Sequence, residues 1–570
     1  MSNLDWLRGY RRQDLSGDLA AGLTVAVMLI PQGMAYAMLA GLPPVVGLYA
    51  STVPLIVYAL FGSSRQLAVG PVAIVSLLTL SGVSALAEPG SARFVALAAV
   101  LALMSGVIQL VLGLVKAGFI VNFLSHAVIS GFTSAAAIII GLSQLETLLG
   151  VDLESGHSVF GLVWEAVTRL GEVNPYTLLI GVMSIAALVA ARRWAPRLPA
   201  ALGVVALATV ATWGMGLHER GVAIVGAVPS GLPAPSLPTM DAGVLSALLT
   251  TALAVSFVGF MESFAVAKSI ATREKYRIDA DQELKGLGLA NLAAGVFSGY
   301  PVTGGFSRSA VNYQAGARTG LASIITAVLI LLTVLAFTSL FQFLPRAVLA
   351  AVVIVAVYGL IEVREALHLF KLKKIDGWTL VVTFAATLVL GVETGILVGV
   401  AFSLLVFIWR SAYPHSARLG YLARERVFRN EDRFPEVESY AGTLILRIDA
   451  SLYFANIAFL ESSLRTALVE ETEYRNIILD FSGVNDMDAV AVEALEVLME
   501  EMGEQGVTVH IAAMKGPVRD ITARAGWPER FGARVSHMGL DSALEAVGAR
   551  VRGASGLDAS GLDAPTEVGS

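Results

Sequence analysis

Residues 298–312 contain several residue types that interrupt a helix, although the sequence around them is apolar enough to cross a membrane. Pro301 has no amide hydrogen to donate, and Gly304 and Gly305 permit backbone angles that other residues avoid. We therefore expect a break in the helix here, followed by a new helix that begins near Gly305. The start of a helix leaves amide groups without intrahelical partners and carries the positive end of the helix dipole, a combination that binds anions.

The first residues after this break have the chemistry of an anion site. The amides of Phe306, Ser307 and Arg308 are free to donate, and Arg308 adds a permanent positive charge to a region that is nearly uncharged between its loops. A charge placed inside a membrane indicates function by default. The alternative is a polar loop at the membrane surface, with Arg308 extended toward the lipid headgroups.

A second interrupted segment lies in the first half of the chain. Residues 67–80 form an apolar run of 14 residues, about half of a membrane span, with a break at Gly70-Pro71. Two short segments interrupted by glycine or proline, at corresponding positions of two halves, are typical of transporters built from inverted repeats. The pair therefore favours a binding site near the bilayer midplane, where the ends of the half-helices meet.

The composition indicates a membrane protein with many spans. Of the 570 residues, 56% are hydrophobic and 15% are charged, and the mean hydropathy is +0.72. The charged fraction of a soluble protein is nearer a quarter. Apolar runs fill about the first 410 residues, enough for a dozen or more spans of about 20 residues, and they do not alternate as the strands of a membrane barrel do.

The absence of cysteine excludes disulfides, the seven histidines lack metal-ligand spacing, and no basic domain indicates nucleic acid. No hydrolase, kinase or redox motif is present, so we expect no enzyme.

Polar groups also lie within the first predicted span, Leu19 to Leu39. Pro31 frees a backbone carbonyl, and Gln32 and Tyr36 lie at membrane depth, where unsatisfied polar groups cost several kcal/mol, so we expect them to face protein or a cavity.

Lysine and arginine collect in alternate loops, at residues 8–12, 65, 116, 192–197, 273–285 and 364–374. The positive-inside rule then places both termini in the cytoplasm and makes the number of segments even, most simply 14 with the two half-helices counted.

The pattern changes after Tyr413-Pro414. Residues 413–440 are rich in charge and predict a linker, and residues 441–552 alternate short strands and helices, which predicts a small soluble α/β domain. The tail, residues 553–570, repeats Ser-Gly-Leu-Asp-Ala and predicts disorder.

Four stretches together resemble the SulP family of anion permeases, to which sulfate, bicarbonate and dicarboxylate transporters belong. They are residues 18–37 (DLAAGLTVAVMLIPQGMAYA), 40–49 (AGLPPVVGLY), 69–73 (VGPVA) and 305–312 (GFSRSAVN). Residues 480–488 (DFSGVNDMD) are similar to a motif of STAS domains.

This resemblance implies a helical membrane fold of 14 segments in two inverted repeats of seven, as in uracil permease, and often a homodimer. It implies a core domain, at about residues 18–115 and 243–343, that moves in an elevator-like way against a gate domain, at about residues 118–216 and 346–412. A cytoplasmic lead of residues 1–17 would precede this membrane part, 18–412. We expect a multi-pass protein of the cell inner membrane.

Carried onto this sequence, the anion pocket of the family is lined by Gln32, Tyr36, Val72, Gly305, Phe306, Ser307 and Arg308. Glu262 lies where sodium-coupled bicarbonate transporters of the family have a carboxylate, but their partner threonine is replaced by Phe306, so sodium is not expected. Burial disfavours the charged form of a carboxyl group, so Glu262 can carry a proton near neutral pH and then no longer repels an anion. We predict proton–anion symport through Glu262, with no cofactor besides the coupling proton. The alternative is a structural ion pair of Glu262 with Arg308 or Lys268.

Other functions fit part of this pattern. A nucleobase permease would keep the fold, although Arg308 disfavours a neutral cargo. An anion-sensing regulator would signal through the STAS domain, and a channel would conduct without accumulating its substrate. In signalling relatives of the STAS domain a serine that follows Met-Asp is phosphorylated, and here Ala489 takes its place, so we expect a role in assembly or in contact with a cytoplasmic partner.

Overall fold

The structure is a computed structural model that describes residues 10–119, 125–153, 159–194, 200–239, 241–471 and 473–551. The chain divides into two compact units, residues 1–404 and 405–570, and each is described by itself. Residues 1–9 of the predicted cytoplasmic lead and the predicted disordered tail lie outside the described residues.

The first half of the membrane unit is a succession of apolar helices with one short strand. The helices are α1 (Arg12–Leu39), α2 (Pro44–Tyr49), α3 (Val53–Phe61), α4 (Ala73–Ser84), α5 (Ala92–Leu114), α6 (His126–Ser143), α7 (Leu145–Leu149), α8 (Val159–Thr168), α9 (Pro175–Trp194) and α10 (Ala200–Gly214), and strand β1 (Val69–Gly70) precedes α4.

The second half repeats this order, and again a two-residue strand precedes a half-helix. Its elements are α11 (Ala242–Arg273), α12 (Ala280–Val296), β2 (Thr303–Gly304), α13 (Phe306–Gln314), α14 (Leu321–Ala336), α15 (Arg346–Tyr358), α16 (Val363–Leu372), α17 (Lys374–Leu390) and α18 (Val392–Ala412). With α2–α3 and α6–α7 each taken as one segment, and α8 and α16 left out, the halves are two inverted repeats of seven segments. Among the described residues, eight segments are long and apolar enough to cross a membrane by themselves.

Helices from the two halves pack in two groups. In the first helix group α1 packs against α14, α12 packs against α3 and α5, and α4, α11 and α13 contact this assembly. In the second helix group α6 packs against α17, and α9 packs against α10 and α15.

Glycines permit the close approach of α5 and α12 within the first group. A Cβ atom on Gly288 would lie 2.7 Å from the amide nitrogen of Leu110, and one on Gly106 would lie 2.7 Å from that of Leu292. Small residues allow membrane helices to pack backbone against backbone in this way. The four residues thus join α5 of one repeat tightly to α12 of the other.

The C-terminal unit is an α/β domain around a five-stranded sheet of order β4-β3-β5-β6-β7. Its strands are β3 (Ser416–Leu422), β4 (Val427–Asn430), β5 (Thr443–Ile448), β6 (Asn476–Asp480) and β7 (Thr508–Ala512), and its helices are α19 (Ile457–Glu470), α20 (Ala489–Glu504), α21 (Gly516–Arg524), α22 (Trp527–Phe531) and α23 (Leu540–Ala546). Strands β5, β6 and β7 are parallel, while β3 is antiparallel to both β4 and β5. One core lies on each face of the sheet.

The structure differs from the sequence expectation at residues 413–440. This stretch was expected to be a linker, but it contains the hairpin of β3 and β4, which belongs to the sheet. Ala417 and Leu419 of β3 are buried in one of the two cores. A hairpin at the edge of a sheet has much of its surface in water and can carry many charged residues. These charged residues made the short alternation of apolar residues difficult to identify in the sequence.

A histidine pair in this domain predicts acid sensitivity. Nδ1 of His510 lies 3.0 Å from Nε2 of His537, and burial, with the nearby His537 and Arg534, lowers the pKa of His510 from 6.5 to about 4. The fold therefore favours neutral His510, so this stability is complete above pH 6.5 and is lost as the pH falls toward about 4. For residues 413–551 expressed alone, we expect the free energy of unfolding in urea to fall by on the order of 2 kcal/mol across this window.

The variant His510→Gln provides the matched control. Glutamine keeps hydrogen-bonding capacity but does not titrate, so the urea midpoint of this variant should change much less over the same pH range. An equal change in the variant and the parent domain would assign the acid sensitivity to other groups.

Candidate functional site

The two interrupted segments meet in the structure. Strands β1 and β2 pair antiparallel, with Val69 opposite Gly304 and Gly70 opposite Thr303. Helix α4 begins after Val72 and α13 begins after Gly305, which confirms the predicted helix breaks. Neither N-terminus has a side-chain cap, so among the described residues the first amides of both helices are free to donate.

These two N-termini border a cavity of about 50 Å³, which we call the anion cavity. All eight residues predicted for anion binding and proton coupling line it: Gln32, Tyr36, Val72, Glu262, Gly305, Phe306, Ser307 and Arg308. Helix α15 contributes Ala356 and Val357 to its wall, and Leu360 follows just after the end of this helix. The first helix group thus supplies the polar lining, and the second supplies an apolar wall.

Arg308 is buried, with 2% of its surface exposed. Its Nε and one terminal nitrogen donate to the carbonyl oxygen of Ala68 at 3.2 Å, and the other terminal nitrogen donates to that of Pro71 at 2.8 Å. The guanidinium therefore fastens α13 to the chain that leads into α4. These bonds leave the positive charge without a carboxylate partner in the described part of the chain, which favours an anion beside it.

Gln32 and Tyr36 lie one helical turn apart on α1. The side-chain amide of Gln32 donates to the hydroxyl oxygen of Tyr36 at 3.2 Å. The phenolic hydrogen of Tyr36 is then available to donate into the anion cavity. The buried Oε1 of Gln32 has no hydrogen-bond partner among the described residues, so a water molecule or a ligand with a donor group would satisfy it.

Glu262 lies on α11 with its Oε2 buried and without a hydrogen-bond partner in the described residues. The alternative of a structural ion pair is not observed, because Arg308 binds backbone carbonyls and Nζ of Lys268 lies 5.7 Å from the centre of the Phe264 ring. An isolated carboxylate is costly to bury, whereas a protonated one is far less so.

A buried polar network fixes the strand that precedes α13, and sequence reasoning did not identify it. Asn291 accepts from the amide of Val302 at 2.8 Å and donates to its carbonyl at 3.0 Å and to Gln109 at 2.9 Å. Ser263, next to Glu262, accepts from the amide of Gly304 at 2.8 Å. The network thus sets the position of Glu262 relative to the N-terminus of α13.

The buried carboxylate of Glu283 fixes the segment that precedes β1. Glu283 of α12 accepts from the hydroxyl of Tyr58 at 2.7 Å and from the amides of Ser63 and Ser64 at 2.9 and 2.8 Å. These bonds hold the loop that leads into β1. A glutamate and an asparagine within apolar helices are the signals that could have identified both supports, since buried polar groups require partners.

Replacing Asn291 with alanine should destabilise the membrane unit. The side chain is fully buried, and its loss leaves the amide of Val302 and the side chain of Gln109 without these partners, at a cost of about 2–4 kcal/mol. A lower apparent Tm of the purified protein would show this. The exposed Gln342 has only backbone hydrogen bonds in the described residues, and Gln342→Ala is the control. Equal Tm values for the two variants would contradict the supporting role.

Two half-helices that meet at a cavity, within a helical unit built from two inverted repeats, define the fold of a secondary transporter. Sequence comparison agrees with this class. The profile of the sulfate permease family matches residues 15–383, and that of the STAS domain matches residues 434–540. The chain therefore belongs to the sulfate permease family, and its C-terminal unit contains a STAS domain.

Two similar proteins cover most of the chain. Sulfate transporter 4.1, chloroplastic, of Arabidopsis thaliana is 40% identical over 544 residues, which is 92% of this chain and 79% of the relative. A protein of Mycobacterium tuberculosis named as a probable sulfate transporter is 35% identical over 540 residues, 95% of this chain and 96% of the relative. The family is one of transporters and not of enzymes.

Solved structures share the fold. The murine Slc26a9 anion transporter, in a structure described as inward-facing, superposes with a TM-score of 0.88 at 26% identity and covers 96% of this chain and 94% of its own. The transmembrane domain of the cyanobacterial bicarbonate transporter BicA gives a TM-score of 0.59 at 25% identity, with 69% of this chain and 98% of its own covered.

Proposed function

We propose that the protein carries sulfate, or another small oxyanion of similar size, across the membrane together with protons. The observation that carries this proposal is the anion cavity, where two uncapped helix N-termini meet beside a buried guanidinium and a carboxyl group without a partner. The sulfate transporters among the relatives favour sulfate over bicarbonate and small dicarboxylates.

The polar lining suits a dehydrated oxyanion. The first amides of α4 and α13 and the hydroxyl of Tyr36 are donors, and the charge of Arg308 lies beside them. Each charge-assisted hydrogen bond contributes about 1.5–3 kcal/mol, so a few together offset the loss of the hydration shell. A neutral nucleobase would gain less from these donors.

The surroundings of Glu262 favour a proton over a sodium ion as the coupling ion. Phe306, which lines the same cavity, brings a phenyl ring and no side-chain oxygen to a place where a sodium ion needs oxygen ligands. Protonation removes the negative charge of Glu262, so proton binding and anion binding assist each other through electrostatics alone.

The cavities support alternating access. A larger cavity of about 240 Å³, which we call the vestibule, adjoins the anion cavity and shares with it Ile74, Glu262, Phe306 and Leu360. A separate cavity of about 430 Å³, lined in part by Gly41, Pro43, Pro89 and Arg346, shares no lining residue with either. The anion cavity thus adjoins the vestibule and shares no lining residue with the separate cavity, and movement of the first helix group against the second would change which of the two it meets.

The orientation and assembly of the protein stay predictions. We expect both termini and the vestibule mouth to lie on the cytoplasmic side, because lysine and arginine collect in alternate loops. A homodimer in the cell inner membrane is the assembly and location that we expect, and a cytoplasmic partner of the STAS domain is a further expectation.

Purified protein in liposomes tests the proposal. With the outside made acidic, labelled sulfate should accumulate above its equilibrium level, and a protonophore should abolish the accumulation. Excess unlabelled sulfate should compete, and uracil should not. Sulfate binding without flux would overturn the proposal in favour of a sensor, and sulfate current without accumulation would overturn it in favour of a channel.

A further inference from the structure

The vestibule is lined by a second carboxyl group besides that of Glu262. Glu262 lies on α11 of the first helix group, and Glu362 is the residue that precedes α16, in the short connection that follows α15 of the second helix group. Both line the vestibule, whose remaining wall is largely apolar. Glu262 binds the coupling proton in the proposed function, whereas Glu362 has no role in it so far.

Hydrogen bonds hold Glu362 in place on this wall. The hydroxyl of Ser130 on α6 donates to its Oε2 at 2.8 Å, and the backbone amide of Glu362 donates to the hydroxyl of Ser134 at 3.1 Å. Oε1 of Glu362 has no hydrogen bond in the described part of the chain. The carboxyl group is therefore fixed in position and keeps one oxygen for a water molecule or a proton.

The charged groups around Glu362 lead outward from the vestibule. His126 on α6 also lines it, with 66% of its side chain exposed, and its Nε2 lies 3.3 Å from Oε1 of Glu365 on α16. From α9, the guanidinium of Arg192 lies 3.6 Å from where a Cβ on Gly359 would be. Glu362, which is itself exposed, thus lines the same cavity as the accessible His126 and as Glu262.

We propose that Glu362 relays protons between Glu262 and the water outside the vestibule, an inference that rests on the proposed proton coupling. Protonated Glu362 passes its proton through vestibule water to the Glu262 carboxylate, and the exposed Glu362 carboxylate regains one from solvent. A cavity of about 240 Å³, with Glu262, Glu362 and Ser130 as polar groups on an otherwise largely apolar wall, has room for several water molecules. The relay returns to its starting state once Glu262 releases its proton on the other side.

Two transport measurements on liposomes test this role. In Glu362→Gln, sulfate uptake driven by a pH gradient should fall by at least about tenfold, because glutamine cannot transfer a proton. Exchange of internal for external sulfate at equal pH needs no net proton transfer and should stay within about twofold of the parent rate. Glu362→Asp should recover most of the gradient-driven rate, and imidazole, a small diffusible proton carrier, should partly restore it in Glu362→Gln.

The outcomes distinguish a proton relay from a purely structural role of Glu362. Unchanged gradient-driven uptake in Glu362→Gln, or an equal loss of uptake and exchange without rescue by imidazole, would overturn the relay. The variant Glu88→Gln, which changes an exposed carboxyl group away from both cavities, should match the parent protein. Absence of gradient-driven uptake in the parent protein itself would instead reject the proposed proton coupling.

Discussion

Replacing Arg308 with alanine should raise the KM for sulfate by about 30- to 150-fold. This range corresponds to the loss of about 2–3 kcal/mol from a charge-assisted interaction, at 1.4 kcal/mol for each factor of ten. The apparent Tm should also fall, because the carbonyls of Ala68 and Pro71 lose their buried donor. Initial rates of labelled sulfate uptake over a range of concentrations, with Tm measured on the same preparation, would show both effects.

Two further variants separate charge from geometry at this position. Arg308→Lys keeps the charge but lacks the planar fork that reaches two carbonyls, so its KM should lie between those of the parent and the alanine variant. Arg93→Ala removes an exposed arginine at the start of α5 and should leave KM unchanged. A KM for Arg308→Ala within twofold of the parent value would show that this charge does not contribute to anion binding.

Replacing Glu262 with glutamine should uncouple anion movement from proton movement. Glutamine is neutral at every pH and mimics the protonated carboxyl group, so the anion cavity keeps its affinity while no proton is carried. We expect sulfate-dependent acidification inside liposomes, followed with a pH-sensitive dye, to fall to below about one-tenth of the parent rate. Sulfate exchange should continue and should lose its pH dependence.

The control for this experiment is Glu146→Gln. Glu146 lies in the first turn of α7 and lines neither the anion cavity nor the vestibule. This variant should acidify liposomes at the parent rate. Undiminished acidification in Glu262→Gln would reject the proton role, and loss of exchange together with acidification would mark Glu262 as structural.

The helix breaks could be predicted because their signals are local, whereas Val72 and Glu262 were assigned to the site through the resemblance to the SulP family. Pro301, Gly304 and Gly305 interrupt one helix, and Gly70-Pro71 interrupts the other. The pairing of β1 with β2 could not be predicted in the same way. A strand of two residues is too short to show the alternation by which strands are identified.

The partners of individual side chains also lay beyond the sequence. The sequence shows that Arg308 is charged, but it does not show which carbonyls the guanidinium binds. These belong to residues 68 and 71, in the other half of the chain. Asn291 resembles any polar residue within a helix until its contacts with Gln109 and Val302 are known. The hairpin of β3 and β4 was missed because charged residues, at positions 418, 424–426 and 429, interrupt the apolar residues that mark it as a strand pair.

The junction of β1 and β2 has a consequence for how specificity can diverge. Main-chain hydrogen bonds tie the half-helices together there, and such bonds do not depend on which side chains follow at positions 72 and 306. Substitutions at these two positions can therefore change the size and chemistry of the anion cavity during evolution. The backbone framework that presents the amides stays intact. A single architecture can in this way yield carriers for many different cargoes.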